Sequence, residues 1–344
     1  MAAIVLVLLV QARFFLIPLA IAILLFSLTS AMIGTIARLH FGSLRIPNWL
    51  ASATAVSLIT AMLLALFGIV SSQIDAVLTV APTYAERGQE AVAALFAWLG
   101  DDVVEGVLGA FQDINISAWL RAAAGSAGNL LVAIILVILY VGFLFAERPW
   151  FEVKLSMLFP DSKQARHISQ VVSSISRSVH HYMLVKTAVS AVTGLVVYGI
   201  LLTFGLDFAE ALAILTFVLN FIPNLGSIVA TTLPMLVALV QFESLPPVIA
   251  LLAVVGTAQF LLGNVADPML MGRTLQMSSF AIVISLTFWG AIWGPVGMFL
   301  AVPIMVMVMI VCSHIPSLRA FAILLSRGGL RMTEEKEADQ DVRE

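Results

Sequence analysis

The stretch that decides the fold is Ala211 to Phe242, ALAILTFVLNFIPNLGSIVATTLPMLVALVQF, an uncharged run broken near its centre at Phe221-Ile222-Pro223-Asn224-Leu225-Gly226. Crossing about 30 Å of hydrocarbon takes roughly 20 apolar residues, so the run is too long for one span. Proline cannot donate a backbone hydrogen bond and glycine weakens a helix, so the run reads as two shorter helices meeting at an irregular turn. Unwound backbone at membrane depth survives only where protein or a watery cavity satisfies it. Thr274 to Leu318 has the same form, with its break at Trp289-Gly290-Ala291-Ile292-Trp293-Gly294-Pro295-Val296-Gly297.

Outward from these runs the chain is apolar almost throughout. Of its 344 residues, 61% are hydrophobic and 11% charged, against about half and about a quarter in a soluble domain. Further charge-free runs long enough to span are Phe14 to Ala37, Ile46 to Ile74, Ala122 to Ala146, Thr187 to Leu206 and Ser244 to Ala266. The residues before Arg13 read as a short first helix and lack the basic leader of a cleaved signal peptide. The fold class is therefore an all-α polytopic membrane protein. About eight membrane segments are expected, two of them read either as re-entrant hairpins or as pairs of tilted spans.

Charge sets the expected orientation. Asp75 to Arg121 is acidic, with apolar residues at helical intervals, and reads as an amphipathic segment outside the hydrocarbon; Arg148 to Lys186 is basic and amphipathic. The positive-inside rule puts the second segment, together with Arg38, Arg45 and the basic start of the tail, in the cytoplasm, and the acidic segment opposite. Both termini are then cytoplasmic. The expected organisation is a membrane scaffold over 1–147, a cytoplasmic basic segment over 148–186, a core with broken helices over 187–318 and a charged tail over 319–344. Within the core, a span and a hairpin followed by an oppositely directed span and hairpin is the pattern of an inverted repeat in a secondary transporter.

Several motifs occur in order after about Phe159. They are Phe159-Pro160, Tyr182-Met183-Leu184-Val185-Lys186-Thr187, Asn220 through Ser227, Asn264-Val265-Ala266-Asp267-Pro268 with Met271-Gly272-Arg273, and Phe288-Trp289-Gly290 through Gly297 to Ala301-Val302-Pro303. In this order the chain resembles the AI-2E family of membrane transporters, the autoinducer-2 exporter-like permeases. The resemblance implies a bacterial inner-membrane protein, homo-oligomeric, that moves a small solute out of the cytoplasm; some family members look like sodium/proton antiporters instead. The chain departs from the family in the shortness of its first span.

The candidate substrate-binding residues surround the first break and the following span: Asn220, Pro223, Asn224, Gly226, Ser227, Gln259 and Asn264, with Thr231 and Thr232 nearby. Half-helix ends and free carbonyls can coordinate a solute, and uncharged amides and hydroxyls suit a neutral, hydroxyl-rich one. The plainer alternative is that Asn and Ser cap the half-helices. Gln259, in mid-span, either faces the pathway or hydrogen-bonds another helix. Ionisable residues at membrane depth are candidates for ion coupling: Asp267, Arg273, Asp207 and Glu210. Against that role, Asp207 and Glu210 lie at a boundary where solvation alone explains them, and Asp267 with Arg273 could sit in an orienting loop. Lys186 reads as the end of the basic helix, its stem snorkelling to water.

Other chemistries are excluded or weak. The net charge of −3 gives no basic field for nucleic acid, and one cysteine, Cys312, forms no internal disulfide. Adjacent His180 and His181 point to different sides of a helix, and with no HExxH or CxxC pattern no metal site is expected. Neither a Walker A nor a dinucleotide fingerprint is present, so no cofactor is expected. No nucleophile–base set can be assembled, which argues against an enzyme. The expected partners are the lipid bilayer and a small polar solute, with sodium or a proton as coupling ion. The rivals to export are sodium/proton antiport and a non-transporting scaffold that uses Asp75 to Arg121 to hold a partner.

Overall fold

The computed structural model describes residues 2–36, 48–96, 100, 106, 109, 127–159, 162–242, 244–271 and 277–326. Among them the regular elements are helical, apart from an isolated antiparallel bridge between Met277 and Ser326. In chain order they are α1 (Ala2–Gln11), α2 (Arg13–Ile36), α3 (Asn48–Phe96), α4 (Ala127–Glu147), α5 (Phe151–Leu158), α6 (Ser162–Thr203), α7 (Ala209–Leu219), α8 (Leu225–Gln241), α9 (Leu245–Leu261), α10 (Asp267–Met271), α11 (Ser279–His314) and α12 (Arg319–Leu325). A π-turn, Leu262–Ala266, joins α9 to α10. Arg38, Arg45, Arg121, Glu243, Arg273 and the tail after 326 lie outside the described residues, as does most of 97–126.

Among the described residues six helical segments are long and apolar enough to cross a membrane: Arg13–Ser30, Ser52–Gln73, Gly128–Trp150, Arg166–Thr203, Leu245–Leu270 and Ser279–His314, the last of them folded at Gly294. Ala209–Leu219, Leu225–Gln241 and Pro316–Leu325 are apolar but shorter. Large apolar side chains lie exposed on these helices, Leu195, Ile228 and Phe260 among them. That pattern suits a hydrocarbon solvent, which leaves no reason to hide them. The chain is a multi-pass membrane protein.

Two helices run further than the charge pattern suggests. α3 runs for 49 residues in all and passes Asp75 without a break, so the span and the start of the acidic segment form one rod about 74 Å long at 1.5 Å per residue. α6 does not end at Lys186 but reaches Thr203. No glycine or proline lies between Ser162 and Thr193, so nothing interrupts the hydrogen-bond ladder there.

The chain divides into two compact units. The first comprises Met1–Val56, Leu136–Lys186 and Leu270–Glu344. In it Phe26 of α2 meets Phe145 of α4 edge to face, ring centres 4.8 Å apart. The second comprises Ser57–Ile135 and Thr187–Met269. Its core joins Val197 and Leu201 of α6, Leu206, Ala209 and Leu212 around the start of α7, Ala238 of α8, and Val248, Leu251 and Val255 of α9.

Both expected breaks are real. α7 and α8 pack as a helical hairpin whose tip is Asn220 to Asn224. α11 is likewise a hairpin, folded at Gly294, whose backbone is non-helical (φ 64°, ψ −147°). Ser285 before that fold donates its hydroxyl to the Ala301 carbonyl after it, at 2.8 Å.

Candidate functional site

The site is built from the tip of the first hairpin, within the second unit. Helix α7 ends because Pro223 follows, and the residue before a proline is pushed out of the helical region. The chain then reverses through Asn224 at φ 62°, ψ −54°, the geometry of a tight γ-turn, which Leu225 N–H closes by donating to Pro223 O at 2.7 Å. Backbone bonds close the turn: Ile222 N–H donates to Leu219 O at 2.8 Å and Gly226 N–H to Ile222 O at 3.0 Å. A Cβ on Gly226 would lie 1.8 Å from the Leu219 carbonyl oxygen, so only glycine admits so close a return of α8 onto α7.

The polar side chains of the tip divide by partner. Asn220 is buried and donates from Nδ2 to Ser190 Oγ of α6 at 3.0 Å. Asn224 is the N-cap residue of α8 but makes no side-chain capping bond, and its carboxamide is exposed. Thr231 and Thr232 turn their hydroxyls back on their own helix, donating to Ser227 O at 2.8 Å and Ile228 O at 2.9 Å. These two are internally satisfied. Ser227 faces the π-turn after α9, because a Cβ on Gly263 would come within 3.5 Å of its Oγ.

Gly263 lies in the π-turn, and Gln259 one helical turn before it shares its face. Gln259 is 4% exposed, and its amide nitrogen Nε2 has no hydrogen-bond partner. A π-turn inserts one extra residue into a helix and recurs at functional positions. Here it begins three residues after a glutamine whose donor is left unmet, and it holds a glycine that leaves room next to the Ser227 hydroxyl. The arrangement offers hydrogen-bond donors and acceptors without charge in an apolar surround.

The other predicted residues do not join this group. Asn264 is exposed in the same π-turn, and Asp267, at the head of α10, is half-buried. Asp207 and Glu210 flank the start of α7, at the opposite end of that helix from Asn220. There Tyr84 O–H donates to Asp207 Oδ2 at 2.6 Å, and Gln73 Nε2 donates to Glu210 Oε2 at 3.2 Å, both from α3. Gln241 completes the junction, accepting from Asp207 N–H at 2.8 Å and donating to Gly205 O at 2.7 Å. Burial, and secondarily the bond to Asp207, push the Tyr84 hydroxyl above its ordinary pKa.

Sequence reasoning missed the buried face of α6. Tyr182, Lys186, Ser190 and Thr193 are all 3% exposed or less. Lys186 therefore does not snorkel: the helix continues past it, and its stem lies inside the protein. The signal was available in the spacing, since positions four, four and three apart fall on one side of a helix. It also missed Trp293 at the second tip, whose indole N–H donates to the Leu9 carbonyl of α1 at 3.0 Å.

Comparison with known proteins shows the family. The sequence profile of the AI-2E family transporters matches residues 1–317. The AI-2 transport protein TqsA of Escherichia coli (strain K12) is 30% identical over 291 residues, 83% of each chain. A provisionally named transport protein of Borreliella burgdorferi is 32% identical over 219 residues, 62% of this chain and 60% of its own. One from Haemophilus influenzae is 28% identical over 296 residues, 82% of each.

Proposed function

As this chain belongs to the AI-2E family of transporters, we propose that it is a secondary transporter, not an enzyme, that exports a small polar solute of the autoinducer-2 kind across the bacterial inner membrane. The solute binds between the first hairpin tip and the π-turn, at Asn220, Asn224, Ser227 and Gln259, and is reached alternately from either side. The supporting observation is the Gln259 amide. Burying an unmet donor costs about 1–3 kcal/mol, a cost that persists at a place where a ligand oxygen completes the bond.

The same reading takes both hairpins as re-entrant and both termini as cytoplasmic. Helix α7 has 11 residues, about 16 Å, or half the roughly 30 Å of hydrocarbon. Asp267, half-buried where the π-turn ends, is the ion-coupling candidate. Asp207 and Glu210 anchor the hairpin to α3 and are not assigned to coupling.

Flux of autoinducer-2 into proteoliposomes tests the site. Gln259→Leu keeps the side-chain volume and removes the unmet donor, so the variant is expected to unfold no earlier than wild type while its flux falls roughly tenfold or more. Wild-type flux in Gln259→Leu overturns the site. Sodium/proton exchange abolished by Asp267→Asn, with no autoinducer-2 movement, replaces the exporter by an antiporter.

A further inference from the structure

Two histidines far apart in sequence meet in the first unit. His167, near the start of α6, and His314, the last residue of α11, have ring centres 5.7 Å apart at an interplanar angle of 60°. A metal ion held by two imidazole nitrogens at about 2.0–2.1 Å spaces the two ring centres roughly 5–6 Å apart. The pair therefore stands at bridging distance.

The His314 ring is also held in place through its Nδ1. Its Nδ1 lies 2.8 Å from the Ile310 carbonyl oxygen and 3.1 Å from Ser313 Oγ. A carbonyl oxygen only accepts, so Nδ1 is the donor of this bond and Nε2 is the nitrogen left for a metal. A backbone carbonyl holding the far nitrogen is the usual support of a ligating histidine. Ser313 reinforces it, its own hydroxyl donating to the same Ile310 carbonyl at 2.8 Å.

We propose that His167 and His314 form a two-imidazole site for a divalent transition metal of the zinc, nickel or copper type. Imidazole suits these ions and not the hard magnesium or calcium. Both rings are exposed, and among the described residues no third His, Cys, Asp or Glu completes a cluster. Water fills the remaining positions, so the site is open and exchangeable, unlike the closed four-ligand sites that build folds. A bound ion ties the end of the second hairpin to the start of α6 and stiffens the first unit.

The experiment titrates the full-length, tag-free protein in detergent with nickel or zinc chloride by calorimetry, alongside thermal unfolding with and without metal. Wild type is expected to bind one ion per chain and to unfold at a higher temperature with metal present. His167→Ala and His314→Ala each weaken binding roughly tenfold or more and lose the metal-induced shift. Without metal both variants unfold as wild type does, since neither ring is buried. Absence of saturable binding overturns the proposal, and so does binding that survives in the double variant. Loss in one single variant alone also overturns it, because a bridge requires both rings.

Discussion

The two hairpins solve the same steric problem with opposite chemistry. In each, the chain reverses through a residue of positive φ, Asn224 in the first and Gly294 in the second. In each, a glycine in the first turn of the returning helix lies against a carbonyl of the departing one. A Cβ on Gly226 would sit 1.8 Å from Leu219 O, and one on Gly297 would sit 1.9 Å from Trp289 O. Around this shared frame the first tip carries Asn220, Asn224 and Ser227. The second carries Trp289 and Trp293, ring centres 4.8 Å apart, and Trp293 is bonded to α1. The frame dictates how closely a helix can turn back on its neighbour; the side chains dictate whether the tip is polar or packed with aromatic rings.

The largest expected effect breaks the frame. Gly226→Ala and Gly297→Ala each drive a methyl group into backbone that cannot move aside, and each should cost roughly 3 kcal/mol or more. The check is thermal unfolding of detergent-purified protein, with both variants failing to reach wild-type stability. Gly290→Ala is the control on the same hairpin. Its Cβ would meet the Met298 Cε at 2.8 Å and Cγ at 3.0 Å, atoms of a flexible side chain rather than backbone, so it should cost about 1 kcal/mol.

The next pair of substitutions separates the two chemistries. Asn220→Ala strips the fully buried Ser190 hydroxyl of its partner and should destabilise by about 1–3 kcal/mol. Trp293→Phe removes one neutral hydrogen bond while keeping most of the aromatic contact, for about 1 kcal/mol. Solute flux distinguishes them beyond stability. Asn220→Ala is expected to reduce it at a temperature where the protein remains folded, and Trp293→Phe is not. Equal flux losses would erase the functional contrast between the tips.

Sequence reading reached the frame more easily than the site. Pro223, Gly226, Gly294 and Pro295 announce their breaks because a missing donor or a missing Cβ acts locally, whatever surrounds it. Asn220 and Gln259 could be named from their polarity in apolar runs. Their different fates, one bonded to Ser190 and the other unmet, depend on which helix packs opposite, and periodicity carries no such information. Lys186 was misread because a charge near an expected boundary looks solvated, whereas the ladder of α6 runs on through it. The two histidines were invisible as a pair, since 167 and 314 meet only once α6 and the second hairpin are folded. The π-turn left only a faint trace in composition: Leu262–Ala266 sets one glycine and one asparagine among ordinary apolar residues, a mix that does not tell a π-turn from a helix or a loop.

The smallest expected effect concerns the bases of the hairpins. The second is tied by backbone groups, Ser278 N–H donating to Leu325 O at 2.8 Å, which no side-chain change removes. The first is tied by side chains at and beyond the end of the Ser52–Gln73 segment, Tyr84 to Asp207 and Gln73 to Glu210. Tyr84→Phe should therefore cost only about 0.5–1 kcal/mol, because the bond is largely open to water. Its pH dependence is the sharper reading. Burial and Asp207 raise the folded pKa of Tyr84 above the unfolded value near about 10. The folded state then holds the proton more tightly, so the contribution is complete below about pH 10 and fades as pH rises towards the folded value. The stability difference between wild type and Tyr84→Phe, followed by thermal unfolding from neutral to alkaline pH, should stay constant up to that point and shrink above it. A difference that instead grows with pH would mean that the phenolate, not the phenol, holds the first hairpin to α3.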